Sequence, residues 1–211
     1  MQVRTRHTPA FGVARLLLAP GEAVHADHGS MLSTSFGVII DLRGRGRRGS
    51  RVAVFTAPAE GGWIDLAPAL PGDVHTLELD GSSGWCVARG SLLAAPSTIK
   101  SDPNWGGFRP LFGADAGFLE HAVGQGPVVL GCCGALEVVN LTAAEAVTVD
   151  PGALVAYTDA IQCRLRAASQ SIHQSIRTGE GLLLDFAGPG QLLTQTRRPA
   201  MFATALASER S

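Results

Sequence analysis

The sequence predicts an all-β protein built as a sandwich or barrel, and three observations carry this prediction. Short apolar runs rich in Val, Ile, Leu, Trp and Phe recur about every 8–12 residues along most of the chain. The 26 glycines and 12 prolines fall largely between these runs, where turns need them. Before residue 199, no segment has the apolar period of an amphipathic helix of four turns.

Composition narrows the class of protein further. The chain has 211 residues, of which 45% are hydrophobic and 17% charged, and its formal net charge is −1. This length suits a single all-β domain over residues 1–211 with a full apolar core. The charged fraction is low for the exposed surface of a monomer, which predicts a homo-oligomer. The net charge gives no overall attraction to nucleic acid or to anionic membranes.

The first half of the chain predicts seven strands, because each apolar run is bounded by turn residues. They cover residues 11–18, 22–31, 36–42, 52–56, 63–66, 74–79 and 85–88. Pro20-Gly21 ends the first of them. The strands at 36–42 and 52–56 flank a stretch rich in Gly and Arg, which predicts a long hairpin with a solvated tip.

The second half predicts eight more strands. They cover residues 119–123, 127–132, 135–141, 146–149, 154–157, 163–166, 182–186 and 191–196. The tight, glycine-rich turns at 124–126 and 188–190 each predict a hairpin. Residues 102–118 predict an ordered loop with aromatic anchors, and residues 168–178 are polar enough for one helical turn. The spacing of Ala, Met, Phe and Leu over 199–207 predicts a short C-terminal helix.

Similar strand–turn–strand stretches recur along the chain, which predicts duplicated β-units. Several turns carry an acidic residue one or two positions before a valine, as at Glu22, Asp73 and Glu145. These similarities predict two pseudo-repeats over approximately residues 11–98 and 117–198, which pack on each other within one domain.

An ordered set of short motifs runs from about residue 12 to residue 206. The set comprises Pro20-Gly21-Glu22 with Gly29-x-Met31, Phe55-Thr56-Ala57 with Gly61-Gly62, Leu66-Ala67-Pro68 with Pro71-Gly72-Asp73, Gly90 to Ala94, Gly131 to Leu141, Val149-Asp150-x-Gly152, and Gly179-Glu180-Gly181 with Gly188-Pro189-Gly190 and Gln195-Thr196-Arg197. In order and spacing, the set resembles the altered-inheritance-of-mitochondria protein twenty-four family, also called the mitochondrial biogenesis AIM family.

The resemblance implies a fold similar to that of the tryptophan RNA-binding attenuation protein. It also implies duplicated β-units, homotrimeric assembly in bacterial members and no established biochemical activity. Fungal members of the family are linked to the organisation of the mitochondrial inner membrane. The family supplies neither catalytic residues nor a cofactor, and the resemblance therefore favours a non-enzymatic role.

His25, Asp27 and His28 form a cluster of two histidines and a carboxylate in sequence. On a strand, His25 and Asp27 share a face, while His28 points to the opposite face unless the strand bulges there. A metal site needs three or four convergent ligands, so other histidines would have to complete it. The cluster is therefore either a weak candidate metal site or an exposed polar strand end.

Five arginines lie within nine residues at the tip of the predicted hairpin. They are Arg43, Arg45, Arg47, Arg48 and Arg51. Arginine pairs well with phosphate, and Arg-Gly tracts bind single-stranded nucleic acid or anionic surfaces. No aromatic residue lies between them to stack on bases. The tip is therefore either a solvated hairpin end or a site for an anionic partner.

Other chemistry is weakly represented in the sequence. The four cysteines, Cys86, Cys132, Cys133 and Cys163, fit no zinc spacing, and we interpret them as small apolar residues in a reducing compartment. There is no Gly-x-Ser-x-Gly motif of a serine hydrolase. The sequence therefore assigns no catalytic residue and no cofactor.

The expected location is cytoplasmic. No stretch approaches the roughly 20 apolar residues of a membrane-spanning helix, so no transmembrane segment is expected. The N-terminal residues 1–7 are not followed by the apolar run of a secretory signal.

Three functions remain open from the sequence. The preferred one is a non-enzymatic, homo-oligomeric β-scaffold, with a trimer favoured, that presents a surface to an unidentified protein or to a membrane in a membrane- or stress-associated role. The second is a module that binds anions or nucleic acid through residues 43–51. The third is a cupin-like metal-dependent enzyme that uses His25 and Asp27.

Overall fold

The computed structural model describes residues 1–44, 51–102, 118–168 and 181–200. Within these residues the chain forms eighteen β-strands and a short 3₁₀ helix, Pro151–Ala153, which confirms the all-β prediction. This part of the chain contains no helix that is long and apolar enough to cross a membrane. The predicted ordered loop, helical turn and C-terminal helix fall mainly outside the described residues.

Six consecutive strands after β1 (Gln2–Arg6) make up unit 1, residues 13–66. They are β2 (Val13–Leu18), β3 (Ala23–Asp27), β4 (Met31–Thr34), β5 (Ile39–Gly44), β6 (Arg51–Thr56) and β7 (Gly62–Leu66). β7 lies between β2 and β4, and β6 lies between β3 and β5, with every pair antiparallel. The first, third and sixth strands thus form one layer, and the second, fourth and fifth strands form the other.

Unit 2, residues 74–131, has the same pairing, although its fifth and sixth strands are the two halves of one long strand. Its strands are β8 (Val74–Asp80), β9 (Trp85–Ala88), β10 (Leu92–Pro96), β11 (Ile99–Asp102) and β12 (Leu119–Gly131). Residues 119–124 of β12 pair with β9 and β11, whereas residues 125–131 pair with β8 and β10.

Unit 3, residues 136–195, shows this pairing for a third time. Its strands are β13 (Leu136–Leu141), β14 (Ala146–Val149), β15 (Leu154–Thr158), β16 (Gln162–Ala167), β17 (Leu182–Ala187) and β18 (Gly190–Gln195). β18 lies between β13 and β15, and β17 lies between β14 and β16. The bounds of the three units differ from the two pseudo-repeats that the sequence predicted over residues 11–98 and 117–198.

The three units share register as well as strand order. The first and sixth strands pair a leucine with a glycine, at Leu18–Gly62, Leu79–Gly126 and Leu141–Gly190. Each third strand has the same register shift against the sixth strand, at Met31/Ser33, Leu92/Ala94 and Leu154/Ala156. Each residue of one unit can therefore be matched to a residue of the others by strand position.

Neighbouring units are connected by one strand pair each, which we call a joint. In the first joint, β10 of unit 2 pairs with β3 of unit 1 through Ala94–Ala26, Ala95–His25 and Pro96–Val24. In the second, β15 of unit 3 pairs with β9 of unit 2 through Ala156–Val87, Tyr157–Cys86 and Thr158–Trp85. The joints build an eleven-stranded sheet, flanked by a four-stranded sheet (β1-β2-β7-β4) and a three-stranded sheet (β14-β17-β16).

The core follows the same division. Three buried apolar clusters lie between the layers, and Phe55, Val87 and Phe186 are members of the first, second and third cluster. Each cluster also includes side chains from a neighbouring unit, such as Leu93 in the first and Leu193 in the second. The units therefore share their cores, because each joint brings a strand of one unit against the next.

The hairpin predicted over residues 119–132 is wrong. Residues 119–131 form the single strand β12, and Gly124 and Gly126 lie within it. Gly124 has φ +134°, and a Cβ there would lie 2.3 Å from the carbonyl oxygen of Thr98. Glycine at this position therefore serves the close approach of a neighbouring segment where the strand passes from one set of partners to another.

The hairpin predicted over residues 182–196 is also wrong, although its strands and turn are present. β17 pairs with β14 and β16, whereas β18 pairs with β13 and β15, so the two strands do not pair with each other. The turn at 188–190 instead carries the chain from one sheet to another. A Cβ on Gly190 would lie 2.4 Å from Ile161, so only glycine fits at this crossing.

Four strands were missed from the sequence: β1, β4, β10 and β11. β4 and β11 have four residues each, and β1 and β11 are largely polar. Short polar strands show little apolar alternation, which is the signal that sequence patterns provide. The hairpin predicted around the arginine-rich stretch is confirmed, because β5 and β6 pair antiparallel from Ile39–Thr56 to Gly44–Arg51.

Candidate functional site

Large exposed apolar side chains are concentrated in one segment of unit 1. Six of the nine in the described part of the chain lie between residues 31 and 42: Met31, Leu32, Phe36, Ile39, Ile40 and Leu42. Phe36 is 100% exposed. We call residues 31–42 the apolar segment; it comprises β4, the turn that follows it and the first four residues of β5. Exposed apolar surface that is concentrated in this way marks contact sites in soluble proteins.

The apolar character of β5 is not a requirement of the fold. Ile39 pairs with Thr56, and the matching fourth-strand positions of units 2 and 3 are Lys100 and Gln162. Both of these residues are exposed and polar, and their strands form the same pairs. Strand pairing at this position therefore does not require isoleucine, because polar residues support the same pairing in units 2 and 3. The exposure of Ile39 calls for a functional explanation.

The β4 part of the apolar segment differs from its counterparts in exposure and not in residue type. Leu32 is 58% exposed, whereas the matching residues Leu93 and Val155 are 4% and 0% exposed. Leu93 and Val155 lie on strands that take part in joints, and β4 does not. The exposure of Leu32 therefore follows from the lack of a neighbouring strand within the described residues.

The apolar β5 leads directly into the arginine-rich stretch. In the backbone, Arg43 pairs with Val52, and Gly44 pairs with Arg51. The other predicted anion-binding residues, Arg45, Arg47 and Arg48, lie outside the described residues. A strand with exposed isoleucine and leucine side chains thus continues, in sequence, into a stretch with five arginines.

The predicted metal candidates lie at the end of β3. His25 and Asp27 are both half-buried on one face of this strand, as predicted, and His28 follows the strand end. The backbone N–H of His28 donates to Oδ1 of Asp27 at 3.0 Å, and burial raises the pKa of this carboxyl group. In the described ranges, no three His, Cys, Asp or Glu side chains come close enough to hold a metal ion. The metalloenzyme hypothesis therefore gains no support.

A buried carboxylate organises the outer sheet of unit 1. Asp65 on β7 is 1% exposed. Its oxygens accept hydrogen bonds from the guanidinium groups of Arg6, at 2.7 and 3.1 Å, and of Arg15, at 2.7 and 2.8 Å. The hydroxyl of Ser33 donates to the same carboxylate at 3.2 Å. The hydrogen bonds from Arg15, followed by those from Arg6 and Ser33, hold the pKa of Asp65 well below its usual range.

Among the described residues, this cluster is present in unit 1 and not in units 2 and 3. The positions that match Arg15, Ser33 and Asp65 in unit 3 hold Val138, Ala156 and Leu193. Unit 2 has Thr76, Ala94 and Val129 there. Both Arg6 and Arg15 are engaged by Asp65, and Arg15 also lies 4.0 Å from the ring centre of Trp63. We therefore assign these arginines to the attachment of β1 and not to an anion site.

The buried thiols have the properties of core residues. Cys86, Cys132 and Cys133 are buried, and all four cysteines are free. Burial raises the pKa of Cys86 to about 11 and of Cys163 to about 12, so both thiols are protonated at neutral pH. Tyr157, which packs edge-on against Phe186 at 5.0 Å, also has a raised pKa because it is buried. Protonated buried thiols react slowly.

Sequence reasoning missed both the apolar segment and the buried carboxylate. Consecutive apolar residues, as in Met31-Leu32 and Ile39-Ile40, break the alternation of a half-buried strand, and this break was the available signal. Asp65 offers no such signal. It lies within an ordinary apolar strand, and its main partners, Arg6 and Arg15, are 59 and 50 residues away in the sequence.

Comparison with known proteins identifies relatives along nearly the whole chain. The family model described as "Mitochondrial biogenesis AIM24" matches residues 3–197. An uncharacterised protein of Streptococcus pyogenes serotype M6 is 26% identical over 217 residues, which cover 93% of this chain and 86% of that protein. A crystal structure of a Streptococcus pyogenes protein superposes with a TM-score of 0.81 at 22% identity and covers 99% of both chains. The structural similarity shows a shared fold.

Proposed function

This chain belongs to the mitochondrial biogenesis AIM24 family, and from that premise we propose that it is a non-enzymatic interaction protein that works as a homo-oligomer, with a trimer favoured. The observation that carries the proposal is the apolar segment, where six large apolar side chains are exposed between residues 31 and 42. A soluble chain with a low charged fraction and such a segment is expected to cover it with a partner. A fold like that of the tryptophan RNA-binding attenuation protein and a cytoplasmic location stay predictions.

The two halves of the apolar segment suit different contacts. β4 pairs with β7 on one side only in the described part of the chain, and its outer edge suits contact between copies of the chain. β5 belongs to a hairpin, and Ile39, Ile40 and Leu42 expose apolar surface along it. Since units 2 and 3 place a lysine and a glutamine at the position of Ile39, β5 is the half that we assign to an outside partner.

A second candidate function is binding to an anionic surface through the same hairpin. The observation that favours it is the continuity of the apolar β5 with the five arginines of residues 43–51. Apolar side chains that enter the headgroup region, together with a basic cluster, are the two signals that hold peripheral proteins at anionic membranes. A membrane is preferred to nucleic acid because no aromatic residue interleaves the arginines.

Oligomerisation is tested by light scattering coupled to size-exclusion chromatography at micromolar concentration. A mass of three chains is the expected result, and a larger or smaller assembly of copies would correct the trimer while keeping the scaffold. A monomer across the micromolar range would contradict the proposal, because the apolar segment would then stay exposed without a partner copy.

Surface binding is tested by co-sedimentation with vesicles. We expect binding to vesicles that contain phosphatidylserine and little binding to pure phosphatidylcholine, with a strong decrease as salt is raised. The variant Arg45→Ser/Arg47→Ser/Arg48→Ser should lose binding. The control Arg4→Ser/Arg164→Ser/Arg197→Ser removes the same charge from three exposed arginines elsewhere and should retain it.

The vesicle experiment carries a nucleic-acid arm. Salt-dependent binding of a single-stranded RNA probe, with the same variant pattern and no vesicle binding, would move the assignment from membranes to nucleic acid. If both triple variants lose binding to the same extent, loss of net charge alone explains the result. That outcome would contradict a specific role for the hairpin tip.

A further inference from the structure

The two joints follow one rule. In each, the third strand of a unit pairs with the second strand of the preceding unit, antiparallel and in the same register. Ala95 faces His25 in the first joint, and the matching residues Tyr157 and Cys86 face each other in the second. The backbone pairing of the two joints is therefore the same, although the side chains at these positions differ.

The rule leaves two strands of the chain without the neighbour it assigns to them. β4 is the third strand of unit 1, and no described strand pairs with its outer side. β14 is the second strand of unit 3, and its outer side is likewise without a strand among the described residues. Both strands lie at the edges of their sheets in the described part of the chain, and they are not paired with each other. In each joint a third strand pairs with a second strand, so β4 and β14 are the two types of strand that a joint brings together.

The charges on the edge strands single out the same two strands. Eight described strands have a partner on one side only, and six of them carry charged residues: β1 (Arg4, Arg6), β5 (Asp41), β8 (Glu78, Asp80), β11 (Lys100, Asp102), β13 (Glu137) and β16 (Arg164, Arg166). Charged residues protect exposed edges from pairing with other strands. β4 reads Met-Leu-Ser-Thr and β14 reads Ala-Val-Thr-Val, so these two edges alone carry no charge.

Exposure agrees with the absence of a neighbour at both edges. Leu32 on β4 is 58% exposed, whereas Leu93 and Val155 are buried at the matching positions inside the joints. On the other edge, Thr148 of β14 is exposed, whereas the matching Cys86 is buried. A neighbouring strand at each edge would bring both strands to the burial that their counterparts already have.

We propose that copies of this chain assemble head to tail, with β4 of one copy paired antiparallel to β14 of the next in the register of the two joints. Transfer of that register pairs Ser33 with Val149, Thr34 with Thr148 and Ser35 with Val147 of the neighbouring copy. Each interface between copies is then a strand pair of the same kind as the two joints within the chain. It connects unit 1 of one copy to unit 3 of the next.

The proposal rests on the homo-oligomer of the proposed function and names its interface. A head-to-tail contact uses two different edges, so it is heterologous, and it gives a ring if the rotation closes and a filament if it does not. Every copy in a closed ring has both edges covered, which removes the two unprotected strands from solvent. An isologous dimer, in which β4 meets β4, would leave β14 uncovered.

Introduced cysteines test both the interface and its direction. Directly opposed residues of an antiparallel pair have Cα atoms about 4.5–5.5 Å apart, which lies within the range that a disulfide spans. We prepare Thr34→Cys and Thr148→Cys as separate proteins and expose them to mild oxidation, alone and mixed. Cys86, Cys132 and Cys133 are buried, and all the variants carry Cys163→Ser because Cys163 is only half-buried and lies in the same sheet as β14.

The expected result is a disulfide-linked dimer in the mixture and none in either protein alone. The double variant Thr34→Cys/Thr148→Cys should give linked oligomers larger than a dimer. Cross-linking of Thr34→Cys with itself would overturn the proposal in favour of an isologous contact. An oligomer by light scattering without any cross-link in the mixture would also overturn it, while the proposed homo-oligomer would stand; a monomer would overturn both.

A register control separates this pairing from loose proximity. In the mixture of Thr34→Cys with Val147→Cys, the second side chain points to the opposite face of β14, because neighbouring strand residues alternate. We expect little cross-linking in this mixture. Cross-linking equal to that with Thr148→Cys would contradict the stated register.

A charge on the exposed edge tests the interface without cysteines. Leu32→Lys should weaken self-association about 100-fold, since the lysine would occupy a position that is buried in both joints. Val138→Lys is the matched control, because Val138 is 45% exposed on β13, which takes part in no joint. The control should assemble like the wild type, and equal weakening in both variants would contradict the assignment of β4.

Discussion

Units 1 and 3 share strand order and register, but their third strands meet different surroundings. Val155 on β15 is buried in the joint with β9, whereas the matching Leu32 of unit 1 is exposed. Both residues are apolar, so the neighbour and not the residue type decides the exposure. An exposed apolar residue on an edge strand of this fold therefore indicates a missing partner, because the same position is part of the core where a second neighbouring strand is present.

The outer sheets of the two units differ in a second way. In unit 3, Leu193 is buried at the position that matches Asp65. In unit 1, the carboxylate of Asp65 accepts hydrogen bonds from Arg15 and Ser33. The difference coincides with β1, which among the described strands pairs with unit 1 and has no counterpart beside unit 3, and which contributes Arg6 to the carboxylate. A buried ionic cluster of this kind fixes the position of an added strand more specifically than apolar packing does, and contributes little net stability.

The largest effect is expected from a charge placed in a joint. Val155→Lys should destabilise the chain by about 3–5 kcal/mol, because the ammonium group would be buried without a partner. Leu32→Lys should change the stability of the isolated chain by less than about 0.5 kcal/mol, since its side chain is already in solvent. Urea denaturation of both variants at a concentration below the assembly threshold measures the difference.

A comparable loss in both variants would contradict the difference between the two strands, because β4 would then be packed in the monomer as β15 is. Leu93→Lys serves as the second joint variant. It should resemble Val155→Lys, since Leu93 is 4% exposed in the other joint.

The predictability of the fold follows from what a local pattern contains. Runs such as Val13–Leu18 and Leu182–Ala187 gave their strands correctly, because burial on one or both faces leaves an apolar pattern. The partners of these strands could not be predicted in the same way. Gly124 and Gly126 have the residue type of a hairpin turn, yet they lie within a continuous strand, and the close approach of Thr98 to Gly124 is not visible in the local sequence.

The candidate site shows the same limit. The arginines of residues 43–51 and the pair His25 and Asp27 were found from residue type alone, and the structure brings no third metal ligand to the pair among the described residues. The exposure of the apolar segment depends on which strands lie at sheet edges, which is a property of the whole topology. Asp65 becomes a buried ion pair only because β1 brings Arg6 across the sheet.

The next effect in size concerns the carboxylate of unit 1. Asp65→Asn should cost about 2–3 kcal/mol, because two guanidinium groups then face each other without an anion and several charge-assisted hydrogen bonds are lost. The variant Arg15→Val/Ser33→Ala/Asp65→Leu installs the residues of unit 3 and should lie within about 1 kcal/mol of the wild type. Denaturant unfolding compares the two. If the triple variant loses as much as Asp65→Asn, the ionic cluster contributes stability that apolar packing cannot replace.

Acid should separate the wild type from that triple variant. The pKa of Asp65 is lowered in the folded chain, so its contribution to stability is present above the ordinary carboxyl value of about 3.9 and is lost as pH falls toward the folded value. We therefore expect the wild type to lose more stability than the triple variant below about pH 4.5. Unfolding curves from pH 6 to pH 2.5 measure this. Parallel losses in the two proteins would show that other carboxyl groups dominate acid unfolding.

The smallest effect on stability, and the sharpest on function, is expected at β5. Ile39→Gln places in unit 1 the residue that unit 3 has at the matching position, Gln162, where it is exposed on a paired strand. The substitution should change stability by less than about 0.5 kcal/mol, because Ile39 is 60% exposed. Binding to phosphatidylserine vesicles should nevertheless fall severalfold, since an apolar side chain that enters the headgroup region is lost. Val123→Gln, at another exposed apolar position, should leave vesicle binding unchanged. If this variant weakens binding as much as Ile39→Gln does, the partner surface extends beyond unit 1. The difference between β5 and its counterparts in the other units would then have no functional meaning.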